Sequence, residues 1–182
     1  IDEIFEDKSV SFSDHGENPK INLSTGRLMY EQADLSVGGG NYAIEISHIY
    51  NSNQAVGLLR CGVGWKLNVY QRLISKDDGT YKYIDGSGGV NTFVLFDSAN
   101  SRYYNTIDAG QVLTIVDGRA SITDGIGNKI NFNENGYVVS VVSALNANIK
   151  KIFEYDTSGN LVKIYDARLK FSDKIKTYIT FE

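Results

Sequence analysis

Along Tyr42-Ala43-Ile44-Glu45-Ile46-Ser47-His48-Ile49-Tyr50 the large residues Tyr42, Ile44, Ile46 and Tyr50 fall on even positions. Successive side chains of a strand point to opposite faces, so this repeat of two predicts a strand with one buried face. The same alternation runs through Leu67, Val69 and Leu73 behind Trp65, through Tyr81 and Tyr83, and through Val112, Thr114 and Val116. It returns in Tyr137, Val139 and Val141, and in Tyr178 with Thr180. Few segments hold a helical period as well. Only 142–151, with Ala144, Leu145, Ala147 and no glycine, admits a helical turn or a longer loop.

Between the alternating runs stand turn signals: Asp78-Gly79, Asp85-Gly86, Asp97-Ser98-Ala99-Asn100, Asp108-Ala109-Gly110, Asp117-Gly118, Asp124-Gly125, Asn135-Gly136 and Ser158-Gly159-Asn160. Glycine or asparagine supplies the positive φ of a tight hairpin turn, so each pair marks a chain reversal. Closely spaced reversals suit antiparallel strands and leave little room for crossover helices. The expected fold is all-β, an antiparallel meander of hairpins forming a curved or stacked sheet. No linker divides the chain, which reads as one body over 1–182. A softer change of character falls between 1–74, punctuated by Gly38-Gly39-Gly40 and Gly62-Val63-Gly64, and the regular hairpins of 75–182.

Composition narrows the function classes. The 182 residues include 18 glycines and one proline, with 42% hydrophobic and 22% charged, the range of an ordinary folded domain. A formal charge of −4 gives no electrostatic footprint for nucleic acid. No apolar run approaches the length of a spanning helix, so membrane insertion is not expected. A single cysteine, Cys61, excludes an internal disulfide.

Candidate chemistry is sparse. His15 and His48 stand far apart, without Cys or carboxylate at metal-ligand spacing, and His48 reads as a packed or hydrogen-bonded strand residue. Cys61 reads as a small buried apolar side chain. Asp85-Gly86-Ser87-Gly88 and Asp156-Thr157-Ser158-Gly159-Asn160 place oxygen ligands at alternate positions but lack the bidentate glutamate of a calcium loop, so they read as hairpin turns. Gly38-Gly39-Gly40 lacks the following helix of a phosphate cradle. Trp65, behind the pair Gly62 and Gly64, reads as a core anchor, or as a sugar-stacking ring if exposed. No catalytic residue, metal or cofactor is expected. With 22 acidic residues, composition selects no carboxylate pair for hydrolysis.

The chain also repeats itself. Asn131-Phe132-Asn133-Glu134-Asn135-Gly136-Tyr137-Val138 lies over Glu154-Tyr155-Asp156-Thr157-Ser158-Gly159-Asn160-Leu161, 23 positions further on. Tyr83-Ile84-Asp85-Gly86-Ser87-Gly88 echoes Ile122-Thr123-Asp124-Gly125-Ile126-Gly127. One such hairpin cannot bury its own face, whereas stacked copies can. Tyr155-Asp156-Thr157-Ser158-Gly159-Asn160-Leu161 resembles the tyrosine–aspartate unit of Rhs/YD-repeat proteins. The order of four earlier segments resembles the region preceding the repeats in that family: Ile21 to Leu28, then Asp34-Leu35, then Tyr50-Asn51-Ser52, then Gly62 to Leu67. His48 stands where the family often has arginine.

The resemblance implies a non-catalytic segment of a larger β-shell in a bacterial surface or secreted protein, enclosing or presenting an effector. It marks Gly26, Asn51, Gly62, Gly64 and Trp65 in the entry region, and Tyr155, Asp156, Gly159 and Leu161 in the repeat, as packing and turn residues. Nothing here resembles the family's self-cleaving core motif, so neither autoproteolysis nor toxin activity is carried over. The expected partners are the remainder of a parent protein, a C-terminal effector or cell-surface carbohydrate, and weak self-association through an edge strand. Thr180-Phe181-Glu182 echoes Ile152-Phe153-Glu154, so the parent is expected to continue into another unit. The alternative is a carbohydrate-binding module, motivated by twelve tyrosines and one tryptophan on a β scaffold.

Overall fold

A computed structural model describes residues 9–11, 19–22, 26–38, 43–52, 61–167 and 178–181. All regular structure among them is antiparallel β, and no helix there is long and apolar enough to cross a membrane. The chain falls into two compact units. The first takes the described residues up to 36, then 45–70 and 86–88; the second takes 37–44, 71–85 and the described residues from 89 onward.

The first unit carries a five-stranded sheet in sequential order: β1 (Ser9–Ser11), β2 (Lys20–Asn22), β3 (Leu28–Val37), β4 (Ile44–Asn51) and β5 (Trp65–Leu67). Burial along β4 does not keep a single phase. Ile44 and Ile46 are buried, but so are Ser47, Ile49 and Asn51, while His48 and Tyr50 are half-exposed. The single buried even face expected there is therefore corrected: the buried positions change sides between Ile46 and Ser47. Tyr42 lies outside the described residues, as do Gly39 and Gly40.

A second correction concerns Trp65 to Leu73, whose alternation is interrupted by a turn at 67–70, closed by the Tyr70 N–H donating to the Leu67 carbonyl at 3.0 Å. Asn68 explains the break. Its Oδ1 accepts the Ser47 N–H at 3.1 Å and its Nδ2 donates to the Glu45 carbonyl at 2.9 Å, so one amide side chain replaces a backbone rung on β4.

The second unit is an eleven-stranded sheet, again in sequential order. Its strands are β6 (Arg72–Ser75), β7 (Tyr81–Ile84), β8 (Val90–Asp97), β9 (Arg102–Asn105), β10 (Val112–Val116), β11 (Arg119–Thr123), β12 (Lys129–Phe132), β13 (Val138–Val142), β14 (Lys150–Tyr155), β15 (Leu161–Asp166) and β16 (Tyr178–Thr180). Each strand pairs with its predecessor, as hairpin connections require. The core is built one residue at a time along the row. Leu73, Tyr83, Phe93, Leu113, Ile122, Phe132, Val138, Phe153 and Ile164 are all buried. A Leu, Ile or Phe so buried contributes roughly 1.5–3 kcal/mol over the exposed state.

The sheet is open but curled. Its first strand reaches the turn between β12 and β13: Leu73 N–H donates to the Gly136 carbonyl at 2.8 Å, and Arg72 bridges Tyr137. The Tyr83 and Phe132 rings meet edge to face at 5.6 Å across the enclosed side. This protects one terminal edge, leaving β16 at the other. Within the segment 142–151, residues 143–149 form a loop between β13 and β14, with no helical turn. Ser143 Oγ takes the Leu145 N–H and Asn146 Oδ1 takes the Asn148 N–H, local bonds that compete with helix formation.

Candidate functional site: repeated turns and an aromatic face

Five hairpins of the eleven-stranded sheet close with the same five-residue turn, opening at Lys76, Asp85, Asp124, Asn133 and Asp156. In each the first residue's N–H reaches the fifth residue's carbonyl at 2.9–3.0 Å. The fourth residue is always glycine, with φ of 79° at Gly79, 83° at Gly88, 95° at Gly127, 78° at Gly136 and 78° at Gly159. This is the three-residue hairpin loop, a type I turn followed by a left-handed residue. The expectation that Gly86 and Gly125 supply the positive φ is thus corrected. The reversal needs that conformation two residues later, and among the described residues only Asp117-Gly118, with φ of 48° and 73°, makes a two-residue turn with both central residues positive.

In four of the five the side chain that opens the turn completes it, and in the turn at Lys76 Asp78 takes the Thr80 N–H instead. Asp156 Oδ1 accepts the N–H groups of Ser158 and Asn160 at 2.9 and 2.7 Å, and its Oδ2 accepts Asn160 Nδ2 at 2.7 Å. Asp124 does the same with Ile126 and Asn128 at 2.8–3.1 Å. Asn133 repeats the backbone pair with Asn135 and Tyr137 at 3.1 and 2.9 Å. Burial pushes the Asp124 carboxyl up, but the bonds from Asn128, Ile126 and Gly127 outweigh it and hold the group below its ordinary value. Asp97 and Asp78 are likewise held low, by Asn100 and Thr80 respectively. Carboxylates committed to their own turns explain the calcium-like spacing. No cluster of three or more His, Cys, Asp or Glu suited to a metal occurs among the described residues.

All four residues marked in the repeat meet in the hairpin of β14 and β15. Tyr155 pairs with Leu161, which is buried, and Tyr155 OH donates to the Val138 carbonyl at 2.8 Å. Its ring lies 5.4 Å from that of Tyr137.

The entry residues lie in the first unit. Tyr50 pairs with Trp65 and His48 with Leu67, so His48, Tyr50 and Trp65 share one face. Trp65 is half-buried, with ring centroids of Tyr50, Tyr30 and His48 at 5.2, 5.9 and 6.5 Å. His48 Nδ1 sits 2.6 Å from Asp34 Oδ2. Gly64 makes this packing possible: at φ 78° it has no side chain, and a Cβ there would lie 2.7 Å from the Tyr50 ring. Its carbonyl accepts the N–H of Asn51, whose Nδ2 donates to the Gly88 carbonyl at 3.3 Å.

Gly62 and Gly26 act through conformation alone, with φ of 106° and 66° and open space where a Cβ would stand. Cys61 is half-buried, correcting the expectation of a buried apolar side chain, and burial still raises its thiol above the ordinary value. On the opposite face Lys66 is fully buried and donates to the Tyr70 carbonyl.

Sequence reasoning missed a polar chain inside the larger sheet. Asn105, 1% exposed, donates through Nδ2 to Asn91 Oδ1 and Gln111 Oε1, both at 3.1 Å, and accepts the Ile107 N–H at 3.0 Å. Asn91 Nδ2 donates in turn to Asp85 Oδ2 at 2.9 Å. The clue was an asparagine at the inward phase of Arg102-Tyr103-Tyr104-Asn105. The close approach of Leu73 to Gly136 had no local signal.

The fold and these turns define a class: an all-β protein whose larger sheet is an antiparallel meander in which five hairpins share one turn. A family profile for a domain of unknown function, DUF6531, matches residues 18–93, which span β2 to the middle of β8. No curated protein matches the chain.

Proposed function

We propose that the chain is a non-catalytic structural segment of a bacterial surface or secreted Rhs/YD-repeat protein, forming the entry and first hairpins of a β-wall that encloses or presents an effector. The observation that supports it most is the turn shared by five hairpins, with the Tyr155-Asp156 hairpin as its fullest copy. Each turn satisfies its own N–H groups through Asp or Asn, so units can be added without redesigning their neighbours. The four entry motifs that carry the resemblance all fall within 18–93.

Antibody raised against the chain tests the reading on producing cells. The expected antigen is several times larger than 20.2 kDa and is secreted or degraded by protease added to intact cells. A protease-shielded cytoplasmic antigen contradicts it.

The half-exposed cluster of Tyr30, His48, Tyr50 and Trp65 favours one second reading, a carbohydrate-binding module. Trp65 is the single tryptophan, so its fluorescence reports directly during titration with polysaccharides. A saturable shift lost in Tyr50→Ala supports that reading, and a flat titration removes it.

A further inference from the structure

Three neighbouring hairpin loops at one end of the second unit, 106–111, 124–128 and 143–149, carry the most exposed aliphatic side chains among its described residues. Ile107 is 80% exposed, Ile126 79% and Leu145 90%. The loops touch: a Cβ on Gly110 would stand 3.5 Å from Gly125 Cα, and Ala144 N–H donates to Asn128 Oδ1 at 2.9 Å. Among the exposed residues 106–110, 125–127 and 144–148, only Asp108 is charged.

Each apolar residue also has its own N–H bonded by the side chain two positions earlier. Ile107 bonds to Asn105 Oδ1 at 3.0 Å, Ile126 to Asp124 Oδ1 at 3.1 Å and Leu145 to Ser143 Oγ at 3.2 Å. The amides of Ile107 and Leu145, whose partners are neutral, can leave water without losing a bond, the condition that an apolar medium sets. Behind the loops, Lys129 and Lys150 each stand in register with Val142, on either side of it. Apolar tips with cations one row behind match the order of acyl chains and phosphates at a lipid surface. A protein partner would need roughly 800 Å² from each side, more than three side chains provide.

We propose that these tips seat on a bilayer bearing anionic phospholipid, with Ile107, Ile126 and Leu145 entering the acyl boundary and Lys129 and Lys150 meeting headgroup phosphates. This is contact with a surface, distinct from spanning, and it goes beyond the scaffold reading.

Co-sedimentation of the 182-residue chain with vesicles of phosphatidylcholine, alone or mixed with phosphatidylglycerol, tests it. Binding to the mixed vesicles is expected, with each Ile→Ser or Leu→Ser change at a tip lowering partition about tenfold. Lys129→Gln with Lys150→Gln should remove the preference for the anionic lipid, about fivefold per lysine. Circular dichroism confirms that the variants keep their fold. Failure of the parent chain to sediment, or equal binding by the triple tip variant, overturns the proposal. Self-association without vesicle binding, abolished by the tip changes, would assign the tips to a second copy and also overturn it.

Discussion

Gly136 bears a load that its sister glycines do not, and Gly136→Ala measures it. At Gly79, Gly136 and Gly159 the backbone is nearly the same, with φ of 79°, 78° and 78°. Alanine in that left-handed conformation costs about 1–2 kcal/mol wherever it stands. At Gly79 a Cβ meets nothing within 4 Å, and at Gly159 only the Tyr137 ring at 3.8 Å, so the conformational cost is the whole effect.

At Gly136 the new Cβ would overlap the Leu73 carbonyl oxygen. Strand β6 must withdraw, breaking the Leu73 to Gly136 hydrogen bond and the stacking of Arg72 over Tyr137 at 4.9 Å. An unmade buried hydrogen bond costs about 1–3 kcal/mol and a cation–π contact about 0.5–1. Gly136→Ala is therefore expected to destabilise by about 3–5 kcal/mol, against about 1–2 for Gly79→Ala and Gly159→Ala. Urea unfolding followed by circular dichroism gives the three values, and hydrogen exchange at the Leu73 amide locates the difference. Equal losses in all three variants, with Leu73 still protected in Gly136→Ala, would refute the closed edge.

Asn105→Ala removes the hub of the buried amide chain and leaves the Ile107 N–H and two side-chain carbonyls short of partners, so a loss of about 2–3 kcal/mol in urea is expected. Gly64→Ala should displace Tyr50 from the ring cluster, read as a change in the fluorescence of Trp65 with little change in the larger sheet. Acid should weaken the turns. The carboxyls of Asp97 and Asp124 are held below their ordinary 3.8, so the unfolded chain takes up protons first. Their contribution is complete above about pH 4 and is lost as pH falls through the folded-state values, a slope that Asp124→Asn should flatten in pH-dependent melting.

Much of the larger sheet was legible because its signals are local. Period-two alternation with Asp or Asn followed three positions later by glycine fixes strand, turn and face within one hairpin, as 154–161 illustrates. Hairpin loop length was less legible: Asp124-Gly125 looks like a two-residue turn, yet Gly127 takes the positive φ because the carboxylate closes on Asn128. Long-range features left no local mark. Leu73 meets Gly136 across six intervening strands, and the change of buried face within β4 depends on what covers each side. In the candidate site, Trp65 and its glycines stood out by type, whereas Tyr30 joins them from β3, across the intervening strand β4.

Growth by hairpin addition is the central claim, and the chain's own repeat tests it. Phe153-Glu154 is followed by Tyr155 and a turn, and Phe181-Glu182 repeats the first pair behind β16. Appending a copy of residues 155–166 after Glu182 would make β16 the first strand of a new hairpin. Neighbour interfaces dominate the stability of stacked repeats, so urea unfolding should show a gain of at least about 2 kcal/mol with a larger m value. An unchanged midpoint and m value, with the added residues unprotected from exchange, would contradict the account.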